Sequence, residues 1–202
     1  EKTNYWNFQK YISDDIANDI AVYENDDLID IDIDNVLVDT NYQIDKCDIN
    51  TFIKLIQENN DVSTAKVFAV INSGFDVNTL YIGSTPLMYE AQVGNLKCLK
   101  KLIQAGANVN AQNLKLGLTA LHFAVKDYKF ADICDIIAPL LRNGADCNIK
   151  DNNGLTIINY LLKGYNPGIV KYLLRYGCKF DINTQHSNGS TLLHVYSRDD
   201  YI

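Results

Sequence analysis

The sequence predicts an all-α solenoid, a stack of helix–turn–helix–hairpin units, preceded by an acidic, partly helical N-terminal extension. Two phrases and their spacing predict it. One recurs as Gly74-Phe75-Asp76-Val77-Asn78, Gly106-Ala107-Asn108-Val109-Asn110, Gly144-Ala145-Asp146-Cys147-Asn148 and Gly177-Cys178-Lys179-Phe180-Asp181, with leading glycines 32, 38 and 33 residues apart. The other runs in phase with it: Thr85-Pro86-Leu87-Met88, Thr119-Ala120-Leu121-His122, Thr156-Ile157-Ile158-Asn159 and Thr191-Leu192-Leu193-His194, each threonine two residues after a glycine (Gly83, Gly117, Gly154, Gly189). A period near 33 residues marks stacked repeats. No single copy buries its apolar face alone, so about three or more copies share one elongated core.

The chain divides into an arm, residues 1–45, and a repeat region, residues 46–202. The arm holds 12 acidic and two basic side chains, against 13 acidic and 16 basic in the remainder. Tyr5, Phe8, Ile12, Ile16 and Ile20 recur at helical spacing and predict a helix at about 4–24. From Leu28 to Asp34 apolar and acidic residues alternate, which reads as extended chain. Two readings of the arm stand: it packs its apolar face on the first repeat as a cap, or it occupies the positively biased concave groove and blocks a partner. Residues 47–79 read as a capping unit, with one helix through Phe52, Ile53, Leu55 and Ile56 and a second through Val67, Phe68, Val70 and Ile71.

Repeats follow at about 80–112, 113–150 and 151–184, with a partial copy at 185–202. In each, Thr reads as a helix N-cap, and Pro86 suits a first turn, where its missing N–H costs nothing. Leu96, Leu99, Leu102 and Ile103 form the apolar stripe of a second helix, and Gly106 ends it in a left-handed conformation. Four extra residues in the second repeat fall near Lys126–Ile133, between its helices. Pro139 lies inside the next helix and can kink it. Pro167-Gly168 marks the inter-helix turn of the third repeat. There Tyr160, Leu161 and Leu162 are unusually apolar.

Together the two phrases resemble the ankyrin repeat, whose pattern reads G-x-T-P-L-H, two helices, then G-A-D-V-N. The likeness covers about residues 47–202. It implies that a partner docks on hairpin tips and on the concave face of the first helices. The tip positions are then Tyr81, Ile82 and Ser84; Lys115, Leu116 and Leu118; Asn152, Asn153 and Leu155. The concave positions are Gln92, Val93, Lys126, Asp127 and Lys163. Five tip residues are apolar (Tyr81, Ile82, Leu116, Leu118, Leu155) and are expected to face solvent as an interaction patch. The resemblance also implies that His122 and His194 tie adjacent turns together by hydrogen bonds.

Other chemistry finds little support. No Ser or Cys pairs by motif with His122, His186 or His194, so no enzyme is expected. Asp30, Asp32 and Asp34 begin like a calcium loop, but Asn35 and Asn41 stand where it needs Gly and Glu, so no metal or other cofactor is expected. Asn188-Gly189-Ser190 fits a glycosylation sequon that carries no meaning in the cytosol. The five cysteines lack C-x-x-C spacing; Cys98, Cys134, Cys147 and Cys178 are read as reduced, packed thiols of a cytoplasmic protein. A net charge of −7 and a pI near 4.8 argue against nucleic acid. No apolar run reaches the roughly 18 residues of a membrane span.

The expected function is therefore protein–protein interaction without catalysis. The prominence of Asn, Ile, Asp and Tyr looks like an AT-rich coding genome, and divergent repeats of this texture look like those of poxviruses or intracellular bacteria. That implies a factor targeting a host protein. An alternative is the targeting portion of a larger effector enzyme whose catalytic domain lies beyond residue 202. The chain starts at Glu1 and stops within a repeat, which reads as a fragment. A third reading is a self-associating scaffold.

Overall fold

The computed structural model describes residues 47–126, 133–164 and 167–180. The arm, the acidic triplet Asp30/Asp32/Asp34, Asp127, the sequon, His186, His194 and the partial last repeat lie outside the described residues. Eight helices are described: α1 (Ile49–Glu58), α2 (Asp61–Asn72), α3 (Pro86–Val93), α4 (Leu96–Gln104), α5 (Ala120–Lys126), α6 (Ile133–Arg142), α7 (Ile157–Gly164) and α8 (Pro167–Arg175). They stack in two files. The odd-numbered helices pack in sequence, α1 on α3, α3 on α5 and α5 on α7, and the even-numbered ones do the same from α2 to α4 to α6. Each odd helix also packs on the even helix that follows it. No strand occurs among the described residues; a lone antiparallel bridge joins Tyr81 to Ser84.

Local chemistry fixes where the helices begin. The Asp48 carboxylate accepts from the Thr51 N–H at 2.8 Å and caps α1. That bond holds its pKa below the ordinary value. Asn60 and Ser63 form a reciprocal capping box on α2. Asn95 caps α4 by accepting from the Cys98 N–H at 3.2 Å. The turn between α3 and α4 closes on Gly94, at φ +84°, whose N–H reaches the Glu90 carbonyl at 2.9 Å.

Threonine stands at the N-cap as expected: Thr85 is the N-cap of α3, and the Thr119 hydroxyl accepts from the His122 N–H at 3.4 Å. At each repeat start, the side chain three residues on reaches back to the threonine N–H. Met88 Sδ accepts from Thr85 at 3.4 Å, His122 Nδ1 from Thr119 at 3.3 Å and Asn159 Oδ1 from Thr156 at 2.9 Å. The Thr85 hydroxyl is buried without a hydrogen-bond partner. The fourth position of the T-x-L-x phrase is thus a backbone cap that sulfur, imidazole and amide all fill.

Between the files lies one continuous core. Phe52, Ile53 and Ile56 from α1, Leu87 and Met88 from α3, Leu99 and Leu102 from α4, Leu121 from α5, Ile137 and Leu140 from α6, and Ile157 from α7 are all but fully buried. Fully burying such a side chain contributes about 1.5–3 kcal/mol, so the stack gains stability one layer at a time. The helices of the second repeat are described to Lys126 and from Ile133, and the extra residues expected between them fall in 127–132, outside the described residues. Helix α6 runs through Pro139, and Asn143 closes its end by donating from both backbone and side chain to the Pro139 carbonyl, at 3.2 and 2.8 Å. Pro167 opens α8 rather than sitting in the turn before it.

One expectation about cysteine is corrected. Cys147 and Cys178 are joined by a disulfide, with Cα atoms 6.0 Å apart and a sequence separation of 31. The spacing is one repeat. Cys147 is the fourth residue of one glycine-led phrase and Cys178 the second residue of the next. The same register pairs Val77 with Ala107 and Val109 with Ala145, where apolar side chains stand in place of thiols. Cys98 keeps its thiol and is buried.

Candidate protein-binding surface

Two hydrogen-bonded rails run from layer to layer outside the helices. The asparagines ending the first two glycine-led phrases build the first. Asn78 donates its amide to the Gly106 carbonyl (3.2 Å) and accepts from the Asn108 N–H (2.8 Å). Asn110 repeats this on Gly144 (2.9 Å) and Asp146 (2.8 Å). Asn148 turns back to Asp146 of its own phrase, at 3.2 Å.

The second rail joins the hairpin tips. The Leu114 N–H donates to the Gly83 carbonyl at 2.9 Å, and the Asn152 N–H to the Leu116 carbonyl at 2.9 Å. Asn113, buried, donates to Gly83 O and Ser84 Oγ while accepting from the Lys115 and Leu116 N–H groups. The Asn152 amide donates to the Lys115 carbonyl at 3.1 Å. Gly117 sits inside this contact at φ +70°; a Cβ there would lie 2.8 Å from the Asn152 backbone nitrogen. Adjacent tips are therefore held at backbone distance, and the side chains they project form one surface.

That surface carries exposed apolar groups. Ile82 is 78% exposed, Leu114 72%, Leu155 39% and Leu116 37%. Ile82 also has φ +49°, a left-handed conformation that β-branched residues rarely adopt. Its turn, closed by the Tyr81–Ser84 bridge, has Gly83 at φ +80°. Lys115, Asn152 and Asn153 stand exposed among these side chains, giving the apolar strip a polar margin.

Two of the expected tip residues do not face solvent. Ser84 and Leu118 are buried, with Leu118 only 1% exposed. Each immediately precedes the helix-start threonine, where the chain has already turned inward; Leu118 accepts from the Asn113 N–H within the hairpin base. Tyr81 is half-buried, its ring 6.0 Å from Tyr89, whose hydroxyl donates to the Tyr81 carbonyl at 3.3 Å. Leu114, absent from the sequence-based set, replaces them. Its sole signal was an apolar residue beside the turn-forming Lys115–Gly117 stretch.

The concave positions form a separate group. Gln92 and Lys126 are exposed and Val93 is half-buried, all at the C-terminal ends of α3 and α5. The hairpins enter at the N-terminal ends, about 12 Å away at 1.5 Å per residue. Lys163 lies on α7, and its side chain is outside the described residues.

Buried polar groups near the third hairpin serve the scaffold. Asp151 accepts from the Asn153 and Leu155 N–H groups (both 2.8 Å) and from the Tyr160 hydroxyl (2.6 Å). Burial raises its pKa, but these donors outweigh that and hold it below the usual carboxylate value. Burial, then the Asp151 carboxylate, pushes Tyr160 up to about 12. His122 bonds Thr119 Oγ1 at 2.9 Å and packs edge-on to Tyr160 of the next repeat, 5.5 Å away. Its Nδ1 bonds stay within its own turn, while the ring also meets the Leu155 backbone and Tyr160 of the next repeat. Burial depresses the imidazole pKa against the opposing pull of Asp151 and the Leu155 backbone. Among the described residues, no three His, Cys, Asp or Glu side chains cluster to hold a metal, and no helix is long and apolar enough to cross a membrane.

Paired helices in two files, projecting hairpins and side-chain rails between layers define a helical repeat scaffold. The chain belongs to the ankyrin-repeat family: the family model of ankyrin repeats in three copies matches residues 52–151 and 128–201. Ankyrin repeats are in general protein–protein interaction modules. A putative ankyrin repeat protein of fowlpox virus is 30% identical over 161 residues, 76% of this chain and 44% of its own length. Inversin of Homo sapiens is 30% identical over 138 residues, 67% of this chain and 12% of its own. A putative ankyrin repeat protein of Acanthamoeba polyphaga mimivirus is 33% identical over 107 residues, 52% of this chain and 24% of its own. The chain thus spans less than half the length of these relatives.

Proposed function

We propose that this chain is a non-catalytic protein-binding module whose partner seats on the hairpin tips, over Ile82, Leu114 and Leu116, with Lys115, Asn152 and Asn153 at the margin. The observation that carries the reading is Ile82. An exposed β-branched residue in left-handed backbone conformation costs about 1–2 kcal/mol and contributes almost no burial to the isolated fold. Such strain is retained where a second surface covers the side chain. Leu155 extends the strip into the third hairpin, and Gln92, Val93 and Lys126 offer a second, more polar contact area at the far ends of α3 and α5.

The viral relatives support a finer reading, in which the partner is a host protein met in the cytoplasm. An alternative, favoured by the short coverage of the longer relatives, makes this stack the targeting portion of a larger effector enzyme; the full reading frame discriminates the two. The test of the tip site is affinity capture from eukaryotic cell lysate with the chain and its Ile82→Lys/Leu114→Lys/Leu116→Ser variant, with a Gln92→Ala/Lys126→Ala variant beside them. A protein held by the unmodified chain and lost only by the tip variant is expected, with unchanged circular dichroism. Equal capture by the chain and its tip variant refutes the tip site, and loss confined to the Gln92/Lys126 variant moves the site to the concave face.

A further inference from the structure

Glu90 occupies a place in the stack where an acid has no evident structural use. It is the sixth residue counted from Thr85 on α3. The same register holds Ala124 on α5 and Leu161 on α7, both buried apolar residues. Glu90 itself is 0% exposed, and among the described residues the weak-donor Cys98 thiol is the one hydrogen-bonding group set against its carboxyl. Helix α3 packs against α1, α4 and α5. From α4 the buried Cys98 thiol bears on the carboxyl. The titratable groups of α1, Lys54 and Glu58, are exposed, as is Lys126 of α5. Those of α4, Lys97, Lys100 and Lys101, and the buried His122 of α5 do not offset the burial. A charge here has no counter-ion, and an unpaired buried carboxylate is among the costliest groups a fold can hold.

We propose that Glu90 is a proton-dependent latch: as the neutral acid it lets α3 close against its neighbours, and on losing its proton it loosens that layer of the stack. Burial, with the Cys98 thiol as a small counterweight, raises its pKa from 4.5 to about 8. The folded state therefore holds a proton that the unfolded chain has released. The sign follows: the pH-dependent penalty of Glu90 is absent below pH 4.5, grows progressively as pH rises, and is complete above pH 8. The layer it affects is the one carrying the Tyr81–Ser84 hairpin, so the latch lies within one helix of the exposed Ile82. This inference is independent of what binds there.

The test is thermal unfolding of the whole chain and of Glu90→Gln at half-unit steps from pH 5.5 to 9. Glutamine copies the shape of the neutral acid and cannot ionise. The variant is expected to melt higher than the parent, with a gap that widens between pH 5.5 and 8 and levels above it. Across the steep part, each pH unit changes the ratio of the two unfolding equilibrium constants by up to about tenfold. A gap independent of pH overturns the proposal. If Glu90→Gln does not fold, Glu90→Ala, which copies the Ala124 register, gives the same comparison. Hydrogen exchange of the α3 amides in the unmodified chain needs no variant at all. Corrected for intrinsic rate, it is expected to quicken between pH 6.5 and 8.5 more than that of α6, and equal behaviour of the two helices overturns the latch.

Discussion

Replacing Gly117 by alanine tests whether the hairpin tips are held as one surface. The residue has φ +70°, which costs an alanine about 1–2 kcal/mol by itself. The added Cβ would also stand 2.5 Å from Asn152 Oδ1 and 2.8 Å from the Asn152 backbone nitrogen. That nitrogen donates to Leu116 O at 2.9 Å, and the Asn152 amide donates to Lys115 O at 3.1 Å. Moving Asn152 aside by a few tenths of an ångström weakens both bonds, each worth about 1 kcal/mol net. The total loss is about 3–4 kcal/mol. Gly154→Ala supplies the control, because Gly154 has φ +77° but nothing within 4 Å of its added Cβ; only the backbone cost of about 1–2 kcal/mol applies. Urea unfolding followed by far-ultraviolet circular dichroism measures both. A Gly117→Ala loss no larger than that of Gly154→Ala would refute the claim that the second and third tips touch at backbone distance.

Three further perturbations follow from the same geometry. Ile82→Asn replaces a β-branched residue at φ +49° with one that tolerates it. We expect it to raise stability by about 1 kcal/mol while weakening partner binding tenfold or more, as separate thermal-melt and titration experiments will read; a lower melting temperature counts against the strain argument. Reducing the Cys147–Cys178 bond opens a 31-residue loop and should cost about 3–4 kcal/mol on the chain-entropy estimate. Alkylation before and after reductant, read by mass, detects the bond directly, and identical label counts would remove it. Tyr160→Phe deletes the 2.6 Å donor to Asp151, for a loss of about 1.5–3 kcal/mol at pH 7. Because the folded pKa of Asp151 is depressed, that contribution exists above its unfolded value and fades as pH falls below it, so a penalty undiminished near pH 2 would contradict the assignment.

The helices were legible because their signals are local and periodic. Thr-led phrases mark where α3, α5 and α7 start, glycines mark where the even helices end, and Phe52, Ile53, Leu55 and Ile56 trace α1 at helical spacing. The surface was less legible. Whether the residue before Thr119 faces out depends on where the hairpin bends back, which is a property of the Asn113–Leu118 bond and not of leucine. Leu118 was therefore misassigned and Leu114 overlooked. The Cys147–Cys178 pair was hidden for a related reason: the two thiols sit at different places in successive phrases, and only stacking brings them together. Glu90 was unreadable because one acid in an otherwise apolar register has no periodic signature.

The asparagine rail has a consequence for cooperativity. Asn78 and Asn110 each donate to one backbone group of the following layer and accept from another, so each couples a repeat to its neighbour and to nothing else. Stability in such a chain behaves as a row of nearest-neighbour terms, and a single weak coupling decides where the row divides. Asn148 does not reach across, and a disulfide spans that junction instead. Among the described residues, the junction between the second and third repeats is thus where the cohesion of the stack answers to the redox state of its surroundings. Under oxidising conditions the repeats should melt as one unit, whereas in reductant the third repeat should part first, leaving the hairpins that carry Ile82 and Leu116 folded.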